Sequence, residues 1–269
     1  MAKIGVIGGS GLYEIKGLTI KKSRKLATPY GKPSDEYRIG MFGDAEVVFL
    51  PRHGAHHGIP PHMVNYRANI YGFKKLGVER IISVSAVGGI KKGLKPGDIV
   101  IGDKIIDMTR NRKNTFYDGK EGRNRLVPRV VHIDFTEPYC TEMRGLLLKA
   151  GRRARVRLIK SGTYIAVEGP RLETASEIKA FGILGADIVG MTGMPEAALA
   201  RELEICYSSI ALVANYAAGI KKQKLTVAEV LEAMKSSVEK IKNLLKETFR
   251  LLPEKRKCPC KDALKEAKI

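Results

Sequence analysis

The sequence contains no tryptophan, few aromatic residues (6 %) and no long hydrophobic run. A membrane-spanning helix needs about 20 apolar residues in succession, and no segment of this chain approaches that length. The first residues, Met1 to Gly5, lead directly into an apolar segment that is typical of a strand, so we expect no signal peptide. These absences argue against a membrane protein and against a secreted protein. We expect a cytoplasmic protein.

Cysteine is also scarce, with four residues among 269: Cys140, Cys206, Cys258 and Cys260. Their spacing fits no common zinc motif, because Cys258-Pro259-Cys260 is one residue short of the CxxC pattern. The sequence leaves two states open, free thiols or the intracellular disulfides that occur in hyperthermophiles. The lack of tryptophan and the abundance of lysine, arginine and glutamate are typical of a heat-adapted protein.

Positive charge dominates, since 48 lysine and arginine residues face 28 aspartate and glutamate residues, a net charge of +20. Such an excess favours anionic partners, among them phosphate, phosphorylated metabolites and nucleic acids. The basic residues are scattered, as in Lys21-Lys22 and Arg152-Arg153, which indicates a solvated basic surface. A basic RNA-binding protein is an alternative that the charge alone supports, because no aromatic–glycine RNA motif accompanies it.

Apolar segments of strand character alternate with helical patterns along the whole chain. The strand pattern over residues 80–87 is almost continuously apolar, as expected for a central strand covered on both faces. The alternation predicts an α/β fold, a single domain with a central mixed, mostly parallel sheet flanked by helices. We place the domain at residues 1–252 and expect residues 253–269, with the Cys-Pro-Cys motif, to form a charged and partly mobile tail. Helices are predicted over residues 65–76, 141–153, 172–182, 195–206 and 226–252, and a long polar loop over 108–130.

Polar and glycine-rich clusters follow several of the predicted strands. Ligands of α/β sheets bind beyond the carboxyl ends of the strands, so these clusters are expected to meet. A phosphate-sized anion would suit these clusters. They offer hydroxyl groups, one arginine with paired donors and the backbone N–H groups of two turns. The clusters are Gly8-Gly9-Ser10-Gly11, Arg52-His53-Gly54, Ser83 to Gly89 and Met191 to Glu196.

Two alternative interpretations apply to these clusters. The glycine turn after the first strand fits neither a GxGxxG dinucleotide fingerprint nor a P-loop, and a tight turn without a ligand explains it equally well. His53, His56, His57 and His62 crowd one loop, which would suit a metal ion. No cysteine or carboxylate accompanies them, and we expect no metal.

Six motifs occur in the order of one known family. The chain resembles the trimeric purine nucleoside phosphorylase and methylthioadenosine phosphorylase family, most of all its archaeal members, from residue 3 to about residue 252. The resemblance therefore implies the nucleoside phosphorylase fold. The motifs are Gly5-x-Ile7-Gly8-Gly9-Ser10-Gly11, Pro51-Arg52-His53-Gly54, Asn65-Tyr66-Arg67-Ala68-Asn69-Ile70, Ser85-Ala86-Val87-Gly88, Glu168-Gly169-Pro170-Arg171 and Gly190-Met191-Thr192-x-x-Pro195-Glu196.

The resemblance implies phosphorolysis, in which a purine nucleoside and phosphate give a free purine and ribose 1-phosphate. Inorganic phosphate is then a co-substrate, and neither a metal nor an organic cofactor is needed. The family also implies a homotrimer or a dimer of trimers, in which His132 reaches the pocket of a neighbouring subunit. Met191 would pack on the ribose, and the implied phosphate ligands are Ser10, Arg52, His53, Ser85, Ala86 and Thr192.

Two departures from the methylthioadenosine branch concern the base. Its Asp-x-Asp pair is replaced here by Asn215 and Ala217 on either side of Tyr216, and Glu173 stands where that branch carries serine. Both changes resemble the 6-oxopurine enzymes, so Glu173, Asn215 and His53 are the expected catalytic residues, with Tyr216 and Ala217 beside the base. An acidic residue in the first turn of a helix is the simpler explanation of Glu173 taken alone.

The residue expected beside the 5′ group of the sugar instead resembles the methylthioadenosine branch. Val227 stands where the 6-oxopurine enzymes carry a histidine that meets the 5′-hydroxyl, although simple helix core also explains it. The leading hypothesis is a 6-oxopurine nucleoside phosphorylase acting on inosine, guanosine and possibly 5′-methylthioinosine. The alternative within the family is a 5′-methylthioadenosine phosphorylase. In a thermophilic member, Cys140 with Cys206 and Cys258 with Cys260 are the expected disulfides.

Overall fold

A mixed β-sheet forms the centre of the computed structural model, which describes residues 3–9, 17–118, 130–221 and 227–267. Helices pack against the sheet, so the expected α/β class is confirmed. The strands in the described residues are β1 (Ile4–Gly8), β2 (Thr19–Arg24), β3 (Tyr37–Phe42), β4 (Ala45–Pro51), β5 (Arg80–Gly89), β6 (Ile99–Ile101), β7 (Lys104–Asp107), β8 (Leu158–Ile159), β9 (Thr163–Ala166), β10 (Ile188–Gly190) and β11 (Cys206–Tyr216). The α-helices there are α1 (Tyr66–Lys75), α2 (Thr141–Arg153), α3 (Ala175–Ile183), α4 (Gly193–Glu202) and α5 (Val227–Leu251).

The strand order along the sheet is β2-β3-β4-β1-β5-β10-β9-β7, and β11, β6 and β8 continue from the other edge of β5. The central pairs β4–β1, β1–β5 and β5–β11 are parallel. Antiparallel pairing occurs at β2–β3, β3–β4, β5–β10 and β6–β11. The predicted mixed sheet is therefore confirmed, and the predicted central strand is β5.

One edge of β5 is only partly covered. β11 pairs with β5 along the whole length of the other edge. On the first edge, β1 pairs with β5 only as far as Val84, and β10 pairs with it only from Gly88 onward. No strand among the described residues covers Ser85, Ala86 and Val87 on that edge. The sheet opens there, and peptide groups of β5 are left for a ligand to satisfy.

Local capping decides where the helices begin. Asn65 accepts a hydrogen bond from the Ala68 N–H (3.1 Å) and starts α1. Thr174 and Glu177 form a capping box at α3, so this helix begins at Ala175, three residues later than expected. The capping residue Thr226 that we expect for α5 lies outside the described residues.

Two features of the fold differ from the sequence-based expectation. Sequence analysis missed β2 and β3; β2 is exposed along its whole length, so no alternation of apolar residues marks it. The C-terminal tail was expected to be partly mobile, but Cys258 and Cys260 are buried in the core beside α2 and α5. Within the described ranges, no helix combines the length and the apolar character of a membrane span.

Candidate active site

A cavity of about 530 Å³ lies where the sheet opens, beyond the ends of β1, β4, β5 and β10. Its size is typical of a site for a small molecule. The cavity brings together eight of the predicted site residues from five separate segments of the chain: Arg52, His53, Ser85, Ala86, Glu173, Met191, Thr192 and Asn215. Apolar side chains that sequence analysis did not assign complete the wall, among them Val87, Pro170, Leu172 and Val189.

Arg52 follows β4, is completely buried and lines the cavity. Its Nε and Nη2 donate to the two carboxylate oxygens of Glu196, at 2.7 and 3.0 Å. Nη2 also donates to Ser83 Oγ (2.6 Å), and Nη1 donates to the carbonyl oxygen of Val84 (3.3 Å). Among the residues that the structure describes, partners are present for four of the five guanidinium N–H groups, and one N–H on Nη1 has none. We expected the paired donors to face an anion, but an arginine this deeply buried needs an internal counterion.

Glu196, in the first turn of α4, is the counterion that positions Arg52. Its side chain is fully buried and also accepts a hydrogen bond from the Tyr207 hydroxyl (2.7 Å). Burial alone would lower the pKa of Arg52, but the charge and hydrogen bonds of Glu196 outweigh it and hold that pKa above its usual value. Sequence analysis noted Glu196 only as part of a motif, because its partner lies 144 residues away in the chain.

His53 lies beside Arg52 as a neutral imidazole. Burial and the charge of Arg52 lower the pKa of His53 to about 4. Its Nδ1 lies 2.8 Å from the carbonyl oxygen of Ile59. A carbonyl oxygen can only accept, so Nδ1 carries the proton and Nε2 is left as an acceptor. The neutral ring therefore suits a ligand oxygen that still carries a proton.

Ser85 and Ala86 supply the open edge of β5, and Gly9 lies opposite them. The N–H of Gly9 donates to the Val84 carbonyl oxygen (3.0 Å). A Cβ at Gly9 would lie 2.8 Å from Arg52 Nη1 and 2.8 Å from that same carbonyl oxygen, so a side chain cannot be accommodated. The glycine thus allows the chain to pass close to the remaining Arg52 donor.

Thr192 is the N-cap residue of α4, and its side chain lines the cavity without capping the helix. We expected free backbone N–H groups at this helix end to receive an anion. Instead, the N–H groups of Thr192 and Gly193 donate to the hydroxyl of Tyr164, at 3.2 and 3.3 Å. Tyr164 is buried on β9 and its hydroxyl needs partners. Thr192 thus lines the cavity, but the N–H groups at this helix terminus are already engaged by Tyr164.

Glu173 and Asn215 also line the cavity. Glu173 precedes the N-cap residue of α3, and the capping and the ion pair with Arg171 belong to Glu177. Glu177 is therefore the acidic residue that caps α3. Glu173 does not cap the helix, and it lines the cavity. Burial raises the pKa of Glu173 above its usual value. Asn215 follows a β-bulge in β11 and donates one amide N–H to the Tyr216 carbonyl oxygen (2.8 Å).

Five of the predicted site residues are not placed at the cavity wall. The Lys221 ammonium lies over the Tyr216 ring, and Ala217 is buried near Gly88; neither Tyr216 nor Ala217 is among the residues that line the cavity. His132 is exposed and lies near the tail, where its N–H donates to the Ala267 carbonyl oxygen (2.8 Å). Ser10 lies outside the described residues, and so does the side chain of Val227.

Arg112 is a buried cation behind the cavity that sequence analysis placed in the loop 108–130 without a role. Its Nη1 donates to the carbonyl oxygens of Met191 and Met194, both at 2.7 Å. Its Nη2 donates to the Glu168 carbonyl oxygen, also at 2.7 Å. Arg112 thereby joins the loop of Met191 and Met194 to the loop of Glu168. Only the tertiary structure could identify it, since a lone arginine in a basic loop carries no local signal.

Comparison with known proteins decides the family. Residues 3–250 match the model of the Phosphorylase superfamily. The chain belongs to this superfamily. This member is 56 % identical to the probable S-methyl-5′-thioinosine phosphorylase of Thermodesulfovibrio yellowstonii, over 98 % of this chain and 97 % of that one. It is 51 % identical to the 6-oxopurine nucleoside phosphorylase of Pyrococcus furiosus, over 99 % of both chains.

A solved structure agrees with the fold. The methylthioadenosine phosphorylase from Schistosoma mansoni in complex with adenine shares 32 % identity with this phosphorylase over 99 % of both chains, with a TM-score of 0.92. The family resemblance that the six sequence motifs carry is thus confirmed. The phosphorylase superfamily consists of enzymes, so the cavity is the candidate active site.

Proposed function

We propose that this phosphorylase converts a 6-oxopurine nucleoside and phosphate into the free purine and ribose 1-phosphate. One observation carries the proposal: one cavity is lined both by a group of candidate anion ligands and by a carboxylate with an amide. Phosphorolysis of a nucleoside requires both kinds of group in one site, because the phosphate and the leaving base are bound together. Inosine and guanosine are the expected substrates, with phosphate as co-substrate and no other cofactor.

The proposed reaction follows from these two groups of residues, the anion ligands and the pair Glu173 and Asn215. Phosphate binds to Ser85, Ala86, Thr192, the remaining donor of Arg52 and Ser10, and one of its oxygens attacks the anomeric carbon. The bond to the purine breaks, and negative charge builds on the leaving base. Asn215 donates a hydrogen bond to that base, while Glu173 accepts from N1–H. Neutral His53 accepts from the hydroxyl of HPO₄²⁻, which keeps the other phosphate oxygens unprotonated for attack.

The 5′ substituent is the second part of the proposal. Val227 begins α5 where 6-oxopurine enzymes resembling this chain carry a histidine, and an apolar residue favours a methylthio group over a hydroxyl. The relative from T. yellowstonii carries the name of a methylthioinosine phosphorylase. We therefore add 5′-methylthioinosine to the substrates. The alternative function is 5′-methylthioadenosine phosphorylase, which shares the anion ligands and the apolar 5′ side.

A phosphate-dependent substrate screen tests the proposal. Purine release from inosine, guanosine, adenosine, 5′-methylthioinosine and 5′-methylthioadenosine is measured with and without phosphate. Phosphate-dependent release from the 6-oxopurine substrates supports the proposal. Equal or faster release from methylthioadenosine assigns the alternative. No phosphorolysis, together with binding of an RNA oligomer that falls steeply with salt, would support the basic RNA-binding protein.

The proposed phosphate contact of His53 has a consequence for stability. Because the folded state holds the pKa of His53 at about 4 and the unfolded state near the usual 6.5, the unfolded state binds more protons between these values. The contribution of His53 to the free energy of unfolding is therefore full above pH 6.5 and is lost as the pH falls towards 4. We expect the variant His53→Gln to lose less stability than the wild type between pH 8 and pH 5 in denaturant melts. Saturating phosphate should flatten the wild-type dependence, because a bound anion raises the pKa of His53; an unchanged slope would exclude the contact.

We also propose a homotrimer, or a dimer of trimers, in the cytoplasm of a heat-adapted organism. His132 is exposed and does not line the cavity of its own chain, which is compatible with the expected contact with the pocket of a neighbouring subunit. Sedimentation should therefore show a trimer or hexamer, and His132→Ala should raise the KM for the nucleoside more than that for phosphate. An active monomer in the ultracentrifuge would contradict this assembly.

A further inference from the structure

Four cysteines from three distant segments meet at one buried point, far from one another in the sequence. Cys140 is the N-cap residue of α2, Cys206 begins β11, and Cys258 and Cys260 belong to the tail. Their four sulfur atoms all lie within 4.8 Å of one another. None of the four is more than 5 % exposed. Sequence analysis did not predict this arrangement, because it considered only ligand pairs of the CxxC type and the tail contains Cys-Pro-Cys.

The geometry fits a tetrahedral set of metal ligands. Zinc bound by four thiolates has Zn–S distances of about 2.3 Å, which places the sulfur atoms about 3.8 Å apart. In the cluster, the Cys206 and Cys258 sulfur atoms are 3.2 Å apart and no pair exceeds 4.8 Å. A four-sulfur set with tetrahedral geometry selects zinc or iron, and zinc is the ion whose structural sites use four protein ligands.

The surroundings favour negatively charged sulfur. The N–H of Met143 in the first turn of α2 donates to Cys140 Sγ at 3.5 Å, and the start of that helix carries positive partial charge. The guanidinium of Arg256 lies 3.9 Å from Cys206 Sγ. Such N–H donors and cations around ligating sulfurs are what a thiolate site needs to offset its charge.

The backbone around the cluster is held independently of the sulfur atoms. The Glu142 carboxylate accepts from the N–H groups of Lys257 and Cys258, at 3.1 and 3.2 Å. The tail is thereby positioned against α2 before any ion binds. The cysteine pairs that would form disulfides according to sequence analysis are Cys140–Cys206 and Cys258–Cys260, whereas the sulfur contact of 3.2 Å joins Cys206 to Cys258 across these pairs.

We propose that Cys140, Cys206, Cys258 and Cys260 form a structural site for one zinc ion. Each thiol loses its proton when it ligates, so filling the site releases protons to solvent. The ion ties the tail to the start of β11 and of α2. Since the tail accepts the hydrogen bond from the His132 N–H through Ala267, the ion also steadies the segment of His132. The site is separate from the cavity and does not depend on the proposed reaction.

Metal analysis of the full-length protein tests the site. We expect elemental analysis to find about one zinc per chain after purification without chelators, and denatured, unreduced protein treated with a chelator to show four titratable thiols. Metal-free, reduced protein titrated with Co²⁺ should reach saturation at one equivalent with the intense visible bands of a tetrahedral cobalt thiolate. Metal-free protein should also lose its tail to a protease faster than metal-bound protein.

Two variants serve as a matched pair in the same strand. Cys206→Ser should abolish the cobalt bands, whereas Ser208→Ala, two residues further along β11 and equally buried, should keep them. If Cys206→Ser does not fold, the cobalt titration of the wild type still decides. Fewer than four thiols in the unreduced protein would show disulfides and overturn the proposal. Four free thiols without stoichiometric zinc or cobalt binding would overturn it equally.

Discussion

Inosine and guanosine should be cleaved with a kcat/KM at least about a hundredfold above that for adenosine. A 6-oxopurine presents a donor at N1 and an acceptor at O6, which match the Glu173 carboxylate and the Asn215 amide. Adenine presents an acceptor at N1, so its lone pair would face the carboxylate. Each unpaired buried group costs about 1–3 kcal/mol, so two mismatches cost about 2–6 kcal/mol together, and a hundredfold ratio corresponds to about 2.7 kcal/mol. Steady-state kinetics of both nucleosides at saturating phosphate measure the ratio.

Burial sharpens this preference in one further respect. Burial raises the pKa of Glu173, because the carboxylate is partly removed from water. A mismatched base therefore cannot exchange its lost hydrogen bond for one with solvent. Glu173→Ser should lower the turnover of inosine and raise the relative rate of adenosine, and Asn215→Asp should erode the preference.

The matched control for Glu173 is four residues away. Glu177→Gln changes the same residue type on α3 but keeps an oxygen to accept from the Thr174 N–H, and it lies outside the cavity lining. This variant should leave the ratio of inosine to adenosine unchanged. A wild type that cleaves methylthioadenosine as fast as inosine would show that the assignment of Glu173 and Asn215 to the base is wrong.

Replacing Arg52 should cause two separable losses, one in phosphate affinity and one in stability. Arg52→Met removes the remaining Nη1 donor, and the loss of a hydrogen bond to a charged group costs about 1.5–3 kcal/mol, so the phosphate KM should rise roughly tenfold to a hundredfold. The same change leaves Glu196 buried without its cation. Breaking a buried pair in this way costs about 3–5 kcal/mol of unfolding free energy.

A double variant separates the two losses. Arg52→Met with Glu196→Gln removes both charges, while the amide oxygen still accepts from Tyr207. Denaturant melts should show that most of the lost stability returns, because no unpaired charge stays buried. The phosphate KM should stay high, because the donor is still missing. If the KM recovered together with stability, Arg52 would act on phosphate only through the fold.

Much of the fold follows from local patterns in the sequence. The apolar run of β5 and the helical spacing of α1 and α2 are properties of short segments, so their positions agree with the structure within about three residues. The exposed strand β2 carries no such pattern, since its residues face solvent on both sides. The start of α3 depends on the reciprocal hydrogen bonds of the capping box between Thr174 and Glu177, which the hydrophobic periodicity does not reveal.

Functional residues divide in the same way. By itself, the sequence determined the α/β class, the family and the clusters that surround the cavity, because motifs at strand ends are contiguous and the ends of parallel strands meet at one edge. Only the tertiary structure decided three features. Arg52 donates most of its hydrogen bonds inside the protein, Arg112 joins two loops, and four cysteines converge. Each of these depends on partners tens to more than a hundred residues away. Burial makes such partners obligatory, and burial is a property of the folded chain.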